Sequence, residues 1–418
     1  MAGTVVAAGT YSVLLDTGFD SLSFRLDSAT NGILDEDILG PAATNYADIT
    51  EYVERVNYRR GRRKPDDQFS AGIMSFTMRD ETGILGPYDT TSPYYDPAND
   101  QPGLAPMRAV QVLRETTPIF TGWVTAYDYL FEMAGPNRVI VTCADDFYKL
   151  AQTNLDELNV TAETSGERIE TVLGLPEVDY TGTTSIDTGT VDLGHDASYT
   201  VPDGTNTLGY LTQINQAEQG RIFVAADGTL TFQPRIGSTL SSPTVSFTDT
   251  GAGTPYDNLE VAFDADNVVN RAVVIALDGK TATDQDATSQ ATYFVQNVTI
   301  RNSLLHVQGQ IDALAAYLLE PDPAPRYTAV STTFAMLTDA ERDDCALVDI
   351  GDTISIEKQI PGLGAAVASE LAVEGLTGEI TFDRGHRITY YTSPTTIIYE
   401  LILDDATYGV LDAANVLG

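Results

Sequence analysis

The sequence predicts a mainly β protein with α+β inserts: two compact β units flanking a mixed middle. Three observations carry that expectation. Apolar and polar residues alternate through 46–146, the signature of half-buried strands. In the middle of the chain apolar positions recur at helical spacing and stop at Gly or Pro. The strand pattern then returns over 326–418, in an order that echoes the first unit. A length of 418 residues suits two to four domains at about 100–200 residues each. The reading divides the chain into N-terminal strands and linker (1–45), a first β unit (46–146), a mixed α+β region (147–255), strands plus helix (256–325) and a second β unit (326–418).

Taken in order, "TYSVLLDTGFDSLSFRLD" reads as strands broken at "DTGFD", and the acidic stretch 31–50 as a loop or crossing segment. "ITEYVERVNYRRGRR" alternates from Ile49 to Tyr58, with Tyr52, Glu54, Val56 and Tyr58 on one face. "AGIMSFTMRD" alternates again, setting Met74, Phe76 and Met78 opposite Ile73, Ser75 and Thr77. Gly61 and Pro65 mark a turn between these strands. Pro87, Pro93, Pro97, Pro102 and Pro106 then define a long irregular loop of the kind usually found at interfaces or functional sites. "RAVQVL", "TPIFTGWVTAYDYLF" and "RVIVTCADD" complete a small barrel or sandwich.

In the middle, "DDFYKLAQTNL" and "SGERIETVLGLP" have helical spacing. "NTLGYLTQINQAEQGRIFVAADGTLTFQPR" reads as a helix and a hairpin turning at Asp227-Gly228. "LEVAFD", "VVNRAVVIAL" and "ATYFVQNVTIR" read as strands. A helix follows, with Val307, Ile311, Leu314, Ala315, Leu318 and Leu319 on one face, stopped by Pro321, Pro323 and Pro325. The echo joins 106–129 to 349–362 and 373–383: strand, break, "TG", strand ending in Asp128 or Asp383.

Charge narrows the function. Sixty acids oppose 23 bases, a net charge of -37 at pH 7, so the chain stays soluble and avoids polyanions. No apolar run reaches the roughly 18 residues that span a bilayer, and the N-terminus lacks the basic start of a signal peptide. The expectation is synthesis in the cytoplasm without stable membrane insertion. Cys143 and Cys345 read as small buried hydrophobes.

Recognisable chemistry is scarce. There is no phosphate-binding glycine loop, no G-x-S-x-G elbow and no H-E-x-x-H pair. His195, His306 and His386 are scattered. Paired carboxylates could cleave glycosides, but among 60 acids chance pairs abound. "FDADNVVN" places Asp264 and Asp266 at calcium-loop spacing and then fails at Val268. No cofactor, metal or catalytic residue is expected.

One segment stands apart. Arg59, Arg60, Arg62, Arg63 and Lys64 put five of the 23 bases within six positions. Three readings compete: a solvated turn balanced by Asp66 and Asp67, an inter-subunit contact in which Arg forks onto carboxylates, or a nucleic-acid patch. The acids that follow at once disfavour the last.

The same stretch resembles the first β domain of tail-hub proteins of long-tailed bacteriophages, also called minor tail or baseplate hub proteins. The shared series is "YVERVNY", "RRGRRKPDDQFSAG", "IMSFTMRDE", a Pro-rich loop, "LAPMRAVQVL" and "IFTGWVTAYDY". Downstream, "LTQINQAEQGRIFVAADGTLTF", "NRAVVIAL", "QIDALAAYLLEPDPAPR" and "LVDIGDTISI" fit later segments, so most of the chain is covered; 1–45 match less clearly. The lysozyme-like or peptidase domains that some hubs carry have no counterpart. The resemblance implies a non-enzymatic homotrimer of the virion tail tip. Each subunit gives two tube-like β-barrels, adapting threefold to sixfold symmetry. Its partners are tail-tube or distal-ring proteins and other tip or fibre proteins, and DNA passes through without being bound. The candidate inter-subunit contacts are Arg59, Arg60, Arg62, Arg63, Lys64, Tyr94 and Tyr95. Rival expectations are a tip glycoside hydrolase, and a carbohydrate- or receptor-binding module using the tyrosines of 88–95.

Overall fold

The computed structural model describes residues 5–6, 9–19, 46–64, 67–96, 99–133, 135–194, 200–235, 242–265, 267–360, 362, 367–381, 385–394, 399–400 and 415–416. The strand expected after "DTGFD" and the acidic loop up to residue 45 lie outside them.

The first unit consists of β1 (Gly9–Asp16), β2 (Val53–Gly61), β3 (Ile73–Asp80), β4 (Ala109–Arg114), β5 (Thr117–Leu130) and β6 (Asn137–Ala144). They lie side by side in the order β1-β4-β5-β6-β3-β2, every pair antiparallel. Alternation does what it predicts. Met74, Phe76 and Met78 are buried, and Val139, Val141 and Cys143 opposite them share the core.

The mixed region follows with α1 (Phe147–Gln152), α2 (Ser165–Leu173), β7 (Thr184–Ile186), α3 (Thr207–Glu218), β8 (Arg221–Val224) and β9 (Leu230–Gln233). α2 starts at a capping box in which Thr164 and Glu167 satisfy each other's backbone N–H. β8 and β9 form the hairpin expected at Asp227-Gly228, where Gly228 takes φ +94°. β10 (Val245–Thr248) and β11 (Asn258–Ala262) then return to the large sheet.

Next come β12 (Arg271–Ala276), β13 (Thr281–Gln285), α4 (Ala287–Tyr293), β14 (Asn297–Ser303) and α5 (Gln308–Tyr317). The strand expected from "ATYF" is corrected. Asp286 accepts the N–H of Ser289 and caps α4, so the next strand begins only at Asn297. α5 buries Ile311, Leu314 and Ala315 of the expected face, whereas Val307 is its exposed N-cap residue and Leu318 and Leu319 lie beyond its last turn.

The chain closes with β15 (Arg326–Thr333), α6 (Asp339–Leu347), β16 (Thr353–Lys358), β17 (Val367–Thr381) and β18 (Gly385–Pro394). α6 falls where only strands are expected; a Thr338/Glu341 capping box starts it.

The second unit runs β10-β16-β17-β18-β15-β11. Strand by strand, in space and along the chain, this is the order of the first unit. The pairs are antiparallel except that β10 runs parallel to β16. The short β2–β3 connection, 62–72, has as its counterpart the folded insertion 263–325. Even an irregularity recurs. Thr125 is the extra residue where Cys143 faces Val124 and Thr142 faces Ala126. Glu374 is the extra residue where Thr392 faces Val373 and Tyr391 faces Gly375. This aligns Val124 with Val373 and corrects the sequence echo. The strand pairs correspond, but Gly122 faces Val110 within its own unit, whereas Gly378 faces Tyr58 of the other.

The structure is therefore mainly β with α+β regions, in sheets of one repeated topology. Among the described residues no strand pairing closes either set into a barrel. Instead β2 pairs with β17, and the two sets form one continuous sheet over one shared core. The α+β regions enclose a second core around Phe147, Ile169, Tyr210, Phe232 and Ile311.

At that joint a Cβ on Gly378 would lie 2.2 Å from the Tyr58 ring. Gly378→Ala is expected to lower unfolding stability by about 1–3 kcal/mol, the usual cost of overpacking. Gly309→Ala, on a helix with open space around it, is expected to be neutral or stabilising. Urea unfolding of both variants measures the contrast.

Candidate assembly interface: the basic turn and the joint between the units

β2 and β17 run antiparallel, with Gly61 opposite Gly375, Tyr58 opposite Gly378 and Arg55 opposite Thr381. The backbones meet too closely for side chains. A Cβ on Gly61 would sit 2.4 Å from the Glu374 carbonyl, and one on Gly375 2.5 Å from the Arg62 carbonyl. Gly61 also takes φ +74°, which turns the chain out of β2.

The extra residue of the bulge, Glu374, is buried beside this contact. Its carboxylate accepts Arg62 Nε at 2.8 Å, Arg221 Nη2 at 3.0 Å and Ser393 Oγ at 2.7 Å. Burial alone would raise its pKa; Arg221 and Arg62, with the Ser393 hydrogen bond, instead bring it down to about 2. One carboxylate thus ties the turn after β2, the first residue of β8 and strand β18. A second tie lies nearby. Arg60 Nη1 donates to Asp349 Oδ1 at 2.6 Å, and Asp349 Oδ2 accepts the N–H of Ala226 at 2.7 Å. Beside them Asp145 accepts the N–H groups of Gly72 and Phe147, and burial raises its carboxyl to about 7.

The basic cluster is therefore divided. Arg59 and Arg60 lie on β2, and the turn begins beyond Gly61. Arg60 and Arg62 spend their charge inside the chain, Arg62 also lying 4.5 Å over the Phe69 ring. Arg59, Arg63 and Lys64 are exposed, with Arg63 stacked 5.3 Å from the Tyr391 ring. Arg59 and Arg63 line an open cleft with Gln68, Ser70, Thr377 and Tyr391. Asp67 accepts the Lys64 N–H, while Pro65 and Asp66 lie outside the described residues.

Tyr94 is half-buried, edge-on to Tyr52 at 6.3 Å, and Tyr95 donates to Asp100 at 2.8 Å. Of the 88–95 tyrosines, Tyr88 alone is fully presented to solvent.

Deeper in the joint, His386 is fully buried between the units. Tyr11 and Tyr58 hydroxyls meet its two ring nitrogens at 3.0 and 2.8 Å, and Phe334 packs at 4.4 Å. Burial, assisted by Arg114, depresses its pKa to about 3. Sequence reading missed Glu374, Asp349, Arg221 and His386. Their partners lie up to 375 positions away, and no local pattern marks them.

Three clefts among the described residues are each lined by one carboxylate: Glu54, Asp67 and Asp89. No group of three or more His, Cys, Asp or Glu side chains among those residues is placed to hold a metal ion. Asp264 accepts Asn267 at 2.9 Å, and Asp266 lies outside the described residues. Both cysteines are buried and free, and burial pushes the Cys345 thiol up to about 12.

The same architecture occurs in tail proteins of known structure. The chain is similar in structure to the tail protein from Neisseria meningitidis MC58, at 13% identity and TM-score 0.59, over 91% of this chain and 96% of that one. It is similar to the 43 kDa tail protein of prophage MuSo2 from Shewanella oneidensis, at 10% identity and TM-score 0.57, over 92% and 98%. At these identities the likeness is one of fold. No protein-family profile matches the chain, and no curated protein matches it by sequence.

Two outcomes test the joint. Glu374→Gln leaves two arginines facing a neutral amide and is expected to cost about 3–5 kcal/mol in urea unfolding at pH 7. The acid side follows from linkage. His386 and Glu374 both have folded pKa values below their unfolded values of 6.5 and 4.5. Their stabilisation is complete above those values and is lost as pH falls, from 6.5 toward 3 for His386 and from 4.5 toward 2 for Glu374. His386→Gln is expected to flatten the fall in unfolding free energy between pH 6.5 and 4.5; an unchanged slope there contradicts the assignment.

Proposed function

We propose that this protein is a structural tail-tip hub with no catalytic role. It forms a trimeric, pseudo-sixfold ring that adapts a tail tube to the tip and its fibres and surrounds an acidic DNA channel. The observation that carries this reading is the repeat. One six-strand order occurs twice in the chain and is joined edge to edge through β2 and β17. A chain holding two like units matches a sixfold tube with three copies, because cyclic head-to-tail contacts close a ring. Each unit is built as a barrel wall in that ring.

The charge supports the same reading. A bore lined by some of the 60 acids repels a duplex, whereas each cation offered to a phosphate adds affinity. Of the basic cluster, Arg60 and Arg62 serve the chain itself, leaving Arg59, Arg63 and Lys64 to meet an acidic surface on a neighbouring subunit or ring. Tyr94, packed on Tyr52, and Tyr95 lie near the start of β2, at the opposite end of that strand from the basic turn, and are a second, separate candidate contact. The protein works in the virion after synthesis in the host cytoplasm, beside tail-tube or distal-ring proteins and other tip proteins.

Native mass measurement of the purified chain is the test. A particle of three 45.0 kDa chains is expected, and a monomer at all concentrations contradicts the proposal. Arg59→Glu with Arg63→Glu is expected to weaken assembly or its docking to the tube at least tenfold without changing monomer unfolding. Unchanged association removes these residues from the contact.

A further inference from the structure

The two units are not equally satisfied at their edges. In the second, the outer half of β17, Gly375–Thr381, is flanked by β18 on one side and β2 on the other. In the first, the corresponding half of β5, Ala126–Leu130, is flanked by β6. Its other side is engaged at Val124, which exchanges backbone hydrogen bonds with Met107 and Arg108. Past Val124 no described strand lies along that side. The complementary element is open as well. β2 corresponds to β11, and among the described residues β11 pairs with β15 alone. Among the described residues there are therefore one completed joint and the two separated halves of another.

Neither open half contains proline, and each sets exposed apolar side chains beside a single exposed acid, Asp128 on β5 and Glu260 on β11. Leu130 is 48% exposed, Phe131 64%, Val261 55% and Phe263 66%, and Met133 is fully exposed. Tyr127, Tyr129 and Phe131 stack along one face of β5, with centroids 6.2 and 6.0 Å apart.

The repeat also supplies the register. Across the first unit one row reads Val56, Phe76, Val141, Tyr127. The matching row of the second reads Leu259, Val330, Tyr390, Leu376. The shared bulge fixes which rows correspond, since it places Tyr127 level with Leu376. In the completed joint Val56 faces Ile380, Asn57 faces Glu379 and Tyr58 faces Gly378. Transferred to the open halves, Leu259 faces Phe131, Glu260 faces Leu130 and Val261 faces Tyr129. Apolar side chains meet apolar side chains on one face.

We propose that β11 of one copy pairs antiparallel with the outer half of β5 of a second copy, in the register of the β2·β17 joint. The occupant is a second copy because the completed joint inside the chain is the template: β11 does to a neighbour's β5 what β2 does to β17. The contact is head-to-tail and closes by rotation, so internal and external joints alternate around a ring. This deepens the hub reading and rests on it.

The test is a disulfide scan of the full chain. Leu130→Cys and Glu260→Cys are exposed positions, and directly opposed residues bring their Cβ atoms to about 4.5–5.5 Å, close to what a disulfide needs. Cys143 and Cys345 are buried and give little background. Under mild oxidation the double variant is expected to form reducible covalent multimers up to a closed ring. Mixed single variants are expected to form a covalent dimer and stop there. Leu130→Cys with Asp227→Cys, a distant turn, is expected to give neither. An oligomer by native mass that does not cross-link at 130 and 260, or cross-links equally through 227, overturns this joint and leaves the hub reading standing. A monomer without cross-links overturns both.

Discussion

The carboxylate of Glu374 is the point on which the rest of the structure depends. It is buried at a strand bulge, at the closest approach of two backbones, and Arg62 and Arg221 converge on it from different parts of the chain. A buried carboxylate is costly unless paired and hydrogen-bonded. Here the pairing fixes where the two β units and the hairpin of the mixed region meet. Gly61 and Gly375 permit the approach, and Arg60, two residues before Arg62, repeats the device with Asp349. The second layer is apolar and neutral, with His386 held uncharged between two tyrosines. Specificity at the joint thus comes from polar groups satisfied in one geometry, and cohesion from the shared core around them.

That arrangement explains how a strongly acidic chain uses its few cations. With 23 bases against 60 acids, placing three of them, Arg60, Arg62 and Arg221, in ion pairs at the joint is a structural commitment, since each is then withdrawn from solvent and from any polyanion. The repeat gives the commitment a purpose. Two units of one strand order are held in one continuous sheet over one shared core, and the ion pairs lie where they join.

Much of this was legible beforehand, and the limits are physical. Local signals succeeded: the Asp227-Gly228 hairpin, the Ile311 and Leu314 face of α5, and the inward row of Met74, Phe76 and Met78 follow from turn chemistry and periodicity. The basic cluster was visible as an anomaly, but its partners were not, because ion pairs across 289 and 312 positions leave no trace in local pattern. α6 was missed although Thr338 and Glu341 spell its capping box; an alternating context and a polar, short helix masked it. "ATYF" looked like a strand because aromatic and β-branched residues favour strands, and the cap at Asp286 prevailed. The repeat was sensed from the wrong residues. A "TG" step recurs by chance, while the true marker, a bulge at Thr125 and Glu374, is invisible without pairing.

The central claim is that two like units per chain build a ring with twice as many lobes as subunits. Projection images of the purified assembly down its axis, by electron microscopy, test it most directly. Six lobes of near-equal size around an open or plugged bore are the result this account predicts. Three lobes of unlike halves, or particles with no central bore, contradict it.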